Sequence, residues 1–334
     1  MRAAVLHAPR ALRVESIPAP RPGADEVVVR VAAIGLCGTD HRIWNGDRPV
    51  RYPLVMGHEM LGVVQAVGEA VGNLREGERV AVEPNYSCGA CPLCREGNRN
   101  LCLSRVTLGI DVHGGCAELV RAPARCCWPA PVALTDDQLL LVEPLAVVVR
   151  AVGRAAPRAG ESAAVVGMGT LGLLAIQVLK ARGLRVLAVG RSPRRVALAE
   201  ELGADAVASA AAGAPSAEAQ RFSRREGVDL VIETAGTADA VGQAAALARP
   251  GGRVVLTGLP HAPSSVDFFS VVRREITLVG SMIYQDEFPR AVELLATGAV
   301  NGARLLTHRF PLAGIEDAFH AHRSPEAIKV AVHP

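Results

Sequence analysis

Aromatic residues are scarce in this sequence: six Phe, two Trp and three Tyr make up 3% of its 334 residues. Lysine is scarcer still, with only Lys180 and Lys329, so arginine carries nearly all of the positive charge. The formal net charge is +3, and no long block of either sign occurs. Proteins that bind nucleic acid or anionic membranes concentrate their basic residues, and no such stripe is present. A long unbroken apolar run is also missing. The nearest, AAVVGMGTLGLLAIQVL at 163–179, is interrupted by three glycines, a threonine and a glutamine. Those interruptions suit a strand, a turn and a helix better than a bilayer span. The N-terminal MRAAVLHAPRALRV lacks the apolar h-region of a secretory signal. The expectation is a soluble, cytoplasmic protein with no nucleic-acid or membrane partner.

What is abundant is core material, at 50% hydrophobic residues, and the length suggests two domains. The first part reads as short β segments broken by turns: AAVLH, LRVESI, EVVVRVAAIG, LGVVQAVG and ERVAVEP. From about residue 150 the pattern becomes an alternation of strands and helices. AAVVG (163–167) is a buried-strand run, and TLGLLAIQVLKAR (170–182) places Leu171, Leu174, Ala175, Val178 and Leu179 on one helical face. RVLAV (185–189), VDLVIETAG (228–236) and GRVVLTG (252–258) continue the strands, with ITLVGSMIY (276–284) as the last. Such alternation predicts an α/β fold with a parallel, doubly wound sheet. The expected division is a mainly-β domain at 1–149, a nucleotide-binding domain at 150–286, and a tail at 287–334 that returns to the first. No internal repeat occurs, and the one biased stretch is ASAAAGAPSAEA (208–219).

Eight cysteines in such a chain point to metal or catalysis more than to disulfides. Cys88, Cys91, Cys94 and Cys102 fall within fifteen positions, in a lobe at about 85–104. The spacing lets one loop wrap a tetrahedral ion, with turns supplied by Gly89, Pro92 and Gly97. Four thiolates close the shell of a zinc ion and leave no position for water or substrate, so this site is structural by its chemistry. A zinc ribbon that binds nucleic acid is the rival reading, but no aromatic or basic patch accompanies the cluster. A second set of donors is dispersed: Cys37 in GLCGTD, His58 and Glu59 in GHE, and Glu143 in VEPLAVV. A mixed Cys/His/Glu set leaves an exchangeable fourth position, as a catalytic zinc requires.

With GLCGTD, MGHEMLGVV, the four-cysteine lobe, EPLAV and VVGMGTLG in one chain, the sequence resembles the zinc-dependent medium-chain alcohol dehydrogenases, in their polyol and secondary-alcohol branch. The resemblance implies a GroES-like catalytic domain beside a Rossmann domain, two zinc ions per subunit, and a homodimer or homotetramer. It implies that Cys37 and His58 bind the catalytic zinc, with Glu59 and Glu143 completing the shell, one of the two through water. Thr39 would hydrogen-bond the substrate alcohol, and Asp40 would orient His58. The relay histidine that the family often places five residues after the cysteine is Arg42 here, with His41 one residue early, so His41 is the candidate participant. The implied reaction moves a hydride between a secondary alcohol or polyol, or the matching ketone, and a nicotinamide. An NAD-dependent amino-alcohol dehydrogenase of the threonine-oxidising kind is the runner-up, and a non-catalytic nucleotide-binding relative the rival from another class.

The cofactor loop is Gly167, Met168, Gly169, Thr170, Leu171 and Gly172, a G-x-G-x-x-G that follows a strand and opens a helix. An NAD-binding fold places a carboxylate at the end of the second strand to hold the ribose hydroxyls. Gly190, Arg191 and Ser192 stand there instead, with Arg195 nearby, so NADP is favoured and NAD is the alternative. Cys116, Cys126 and Cys127 are expected as buried core thiols, and His7, His113, His261, His308, His320, His322 and His333 as non-ligands. Trp44 and Tyr52, between two ligand segments, belong either to the core or to a substrate pocket. Phe268, Phe269 and Tyr284 are candidates for a subunit interface or pocket wall.

Overall fold

A computed structural model describes residues 1–210 and 215–334; residues 211–214 of the Ala-rich stretch lie outside the described residues. The chain divides into two compact units. One comprises Met1–Glu143, Ala291–Ala296 and Gly302–Pro334, the other Pro144–Arg290 and Thr297–Asn301.

The first unit is built around the strand Glu26–Leu36, whose valines and isoleucine are buried along most of its length. β-Branched side chains stand well on a pleated surface packed on both sides. This strand pairs antiparallel with Glu59–Val67, Leu119–Pro123 and Lys329–His333. The chain's last strand therefore pairs with the central strand of the first unit. Arg2–Leu6 pairs with Leu12–Ser16 and Leu54–Val55 in a smaller sheet. One core cluster joins these elements and includes Val27, Val29, Ile34, Trp44, Phe319 and Val330. Fully burying a Val, Leu, Ile or Phe side chain stabilises by roughly 1.5–3 kcal/mol, so this cluster is the dominant favourable term of the unit.

The second unit is a six-stranded sheet, parallel throughout, in the order Ala206–Ser209, Arg185–Gly190, Ser162–Val166, Val228–Glu233, Ala248–Leu256, Thr277–Gly280. The winding reverses between Ser162–Val166 and Val228–Glu233, which is where doubly wound sheets bind their ligands. The helix Thr170–Ala181 departs from the expected one-sided stripe: residues 172–179 are all buried. An all-round apolar helix is one covered on every side. Here it packs on three strands and the helix Pro193–Glu201, and Gln177 accepts from the Asn301 backbone. The last strand is also shorter than expected, ending at Gly280, with Ser281–Tyr284 outside the sheet. Among the described residues, no helix is long and apolar enough to cross a membrane.

Candidate active site and metal centres

In the cysteine lobe, the sulfurs of Cys88, Cys91, Cys94 and Cys102 all lie within 4.8 Å of one another. Cys91–Cys94 and Cys88–Cys102 are 3.5 Å apart and Cys91–Cys102 is 3.9 Å. A regular tetrahedron with zinc–sulfur bonds of about 2.3 Å has sulfur–sulfur edges of about 3.8 Å, so the four donors fit that ion. Backbone N–H groups of Ala90 and Cys91 donate to Cys88 Sγ, and those of Cys88 and Ser104 to Cys102 Sγ. N–H donors of this kind stabilise thiolates. Bonds from Leu103 and Cys94 depress the Cys91 thiol to about 6, while desolvation and the neighbouring Cys91 and Cys102 sulfurs push Cys94 up to about 11.

The second site is assembled from distant segments of the first unit. Cys37 is the N-cap of the helix Gly38–Asn45, and its backbone N–H donates to Asp40 Oδ2 at 2.9 Å. The other Asp40 oxygen lies 3.0 Å from His58 Nδ1. That bond occupies Nδ1 and leaves Nε2 as the ring's donor, the arrangement that metal-bound histidines use. Donor atoms of Cys37, His58 and Glu59 converge within 4.8 Å. Asp40, His58, Glu59 and Glu143 are all buried. The group of donors within that distance contains Glu59 and does not include Glu143.

Electrostatics bind this set together. Burial disfavours a charged His58, but the Asp40 carboxylate and the Cys37 side chain outweigh it and raise the imidazole well above its ordinary value. Burial likewise pushes Asp40 up, and its bonds from His58 and the Cys37 N–H bring it below the ordinary carboxylate value. For Glu59 burial prevails and the net direction is upward, although Lys329 and His58 oppose it. Lys329 is a residue that sequence reasoning missed: it is 2% exposed, with Nζ 2.5 Å from Glu59 Oε2. Being one of two lysines was its only signal, and nothing in the neighbouring residues pointed to a site.

Thr39 is half-buried on the first turn of the same helix. His41 is buried against the rings of Trp44 and Phe319, with Nδ1 3.3 Å from Asn45 Nδ2 and Nε2 lacking a partner. Burial, reinforced by Arg323, lowers its pKa. Trp44 stacks on Phe319 at 5.2 Å, 7% exposed, and so belongs to the core. Cys116, Cys126 and Cys127 are buried thiols, as expected, and burial pushes the pKa of each upward. His113 accepts from the Val55 backbone through Nδ1. A cavity of about 790 Å³, lined by Val5, Ile17, Leu108 and His113 among others, contains none of the candidate ligands.

In the second unit the glycine loop leaves the strand Ser162–Val166 with Gly167 at φ +100°, a conformation open to glycine at little cost. A Cβ on Gly172 would sit 1.7 Å from the Gly167 carbonyl oxygen, so only glycine lets the helix approach the loop this closely. A Cβ on Gly169 would project into open space, where a pyrophosphate approaching the helix N-terminus needs room. Thr234 Oγ1 donates towards the carbonyls of Val166 and Gly167 at 3.0 Å each and holds the turn. Gly190 is buried at the end of its strand, Arg191 is exposed, and Ser192 is the N-cap of the next helix. Burial, and then Arg194, lowers the pKa of the half-buried Arg195.

The chain matches two family descriptions: "Alcohol dehydrogenase GroES-like domain" over residues 23–132 and "Zinc-binding dehydrogenase" over residues 170–297. The chain belongs to the zinc-dependent medium-chain alcohol dehydrogenase family. It is 32% identical over 345 residues to sorbitol dehydrogenase of Bacillus subtilis (strain 168), covering 100% of this chain and 97% of that one. It is 34% identical to L-threonine 3-dehydrogenase of Bacillus velezensis, covering 96% and 95%. Among solved structures, a zinc-binding dehydrogenase from Sinorhizobium meliloti 1021 bound to NADP superposes with a TM-score of 0.95 at 34% identity, covering 100% and 99%. The fold, a Rossmann unit and a GroES-like one, and the activity class, a zinc- and nicotinamide-dependent alcohol oxidoreductase, follow from that membership.

Proposed function

We propose that this enzyme transfers a hydride between a secondary alcohol or polyol and NADP, with one zinc held by Cys37, His58 and Glu59 and a second by the four-cysteine lobe. The convergence of three chemically different donors in front of the Asp40–His58 pair carries the reading. When bound, the open-site zinc supplies a Lewis acid that polarises the substrate oxygen, and the nicotinamide supplies the hydride acceptor. Glu143 lies near enough to act electrostatically on Lys329 and serves the shell through water. Thr39 takes the substrate hydroxyl's proton. His41 enters the relay only through Nε2, the ring nitrogen without a partner, and its lowered pKa keeps it neutral and able to accept.

NADP is favoured because no carboxylate follows the second strand. Exposed Arg191 offers two N–H groups to a 2′-phosphate, and Ser192, whose hydroxyl makes no capping bond, offers another donor. A Cβ at Gly190 would meet Met168 Cγ at 2.7 Å and Val196 Cγ2 at 3.0 Å, so a carboxylate there requires those side chains to shift. The threonine-type reading finds support in the L-threonine 3-dehydrogenase relative. Assaying diols, polyols, cyclitols and amino alcohols with each cofactor decides both points. NADP should give the higher kcat/KM in wild type and lose its advantage in Gly190→Asp with Arg191→Ile, whereas a wild-type preference for NAD overturns the cofactor assignment. A cytoplasmic location agrees with eight cysteines that are all unpaired. The exposed Phe268, Phe269 and Val272 offer a contact surface for a homodimer or homotetramer, which sedimentation would detect.

A further inference from the structure

Lys329 reaches the donor cluster from the last strand of the chain. Besides Glu59 Oε2 at 2.5 Å, its Nζ donates to the Leu36 carbonyl at 3.2 Å. Strand register explains how the pair meets. Gly35 pairs with Glu59 on one side of the strand Glu26–Leu36 and with Ala331 on the other. Directly paired residues share a face, and Lys329, two residues before Ala331, shares it as well. Lysine and glutamate thus come from strands two apart and meet above residue 35. A Cβ on Gly35 would stand 2.3 Å from Glu59 Oε2, so the contact depends on the missing side chain.

Resting on the assignment of Cys37, His58 and Glu59 as a metal site, we infer that Lys329 is a positioning residue that shares the Glu59 carboxylate with the metal. Cys37, Glu59, Glu143 and Asp40 bring four negative charges to this region, and a zinc ion offsets two. Lys329 offsets a third. A carboxylate already paired with an ammonium donates less to the metal, which keeps more of its Lewis acidity. The lysine therefore competes with zinc for Glu59 while making the bound ion a better electrophile. Holding the metal less tightly and turning over faster are two sides of one charge.

That opposition separates positioning from bracing. In the zinc-loaded Lys329→Met enzyme, competition with a chelator should show the zinc assigned to Cys37, His58 and Glu59 held about tenfold more tightly, while kcat falls about tenfold and KM for the nicotinamide is unchanged. Lys329→Arg should restore kcat. If Lys329→Met does not accumulate folded, Lys329→Gln, which keeps a donor for Glu59 without the charge, carries the same test. Gly35→Ala, which sets a methyl against Oε2 with the lysine in place, should lower zinc retention and kcat together. Weaker zinc binding in step with lost kcat in the lysine variants would make Lys329 a structural brace and overturn the inference, as would an unchanged kcat. A wild-type enzyme that takes up no zinc at Cys37, His58 and Glu59 defeats the metal-site assignment itself.

Discussion

The two candidate metal sites are built in opposite ways. The lobe draws four identical donors from fifteen consecutive residues and surrounds their sulfurs with backbone N–H groups. The open site draws three different donors from two segments, orients one of them with Asp40, and adds a lysine from the far end of the chain. A contiguous, closed set can hold an ion but offers it nothing to react with. A dispersed set depends on the whole sheet for its geometry, and in return each donor can be tuned separately. On the proposed assignment, placement along the chain follows the kind of work: local for bracing, long-range for chemistry.

Substitution at the open site should have the largest effect. Cys37→Ser or His58→Ala is expected to abolish alcohol oxidation, reduce zinc from two per chain towards one, and leave nicotinamide binding largely intact. Metal analysis with cofactor titration checks this, and wild-type turnover in both variants would remove the distinction between the centres. Asp40→Asn should be milder. It keeps the shape but weakens the bond to His58, and such a change typically costs about 10–100-fold in metal affinity or activity. Cys94→Ser should act in the other direction, lowering thermal stability or solubility while turnover per folded molecule changes little. A stable, fully metallated but inactive Cys94→Ser protein would show the lobe to be catalytic.

The smallest effect concerns protons. At pH 7 Cys91, depressed to about 6, is already a thiolate, whereas Cys94, pushed up to about 11, still carries its proton. Zinc must displace the Cys94 proton, so the lobe's affinity should fall as pH falls. The decline should steepen below about 6, where Cys91 also becomes protonated. Calorimetry of zinc uptake in buffers of different ionisation enthalpy measures this release, and pH-independent binding between 5 and 7 would contradict it.

The same contrast decides what could be read from the sequence. The lobe was legible because its spacing is its geometry, and the glycine loop because a strand and a helix flank it in order. Cys37, His58 and Glu59 were legible only together, through family motifs. Lys329 was not legible, since its contact with Glu59 depends on the register of three strands and on the absence of a side chain at Gly35. Trp44 lay between two ligand segments, yet packing on Phe319 drew it into the core, a contact between residues far apart in sequence. The helix after the glycine loop gave its period but not its all-round burial, because burial depends on packing against the strands and the helix Pro193–Glu201, which the period does not report.

The most direct test of the division of labour is to follow turnover against zinc content during chelator dialysis of the wild-type enzyme, with near-ultraviolet circular dichroism recorded alongside. Zinc should fall from two per chain to one while turnover falls in proportion to zero and the dichroism stays native, the closed lobe retaining its ion. Turnover that persists at one zinc per chain with the open site emptied would contradict the assignment of the chemistry to Cys37, His58 and Glu59.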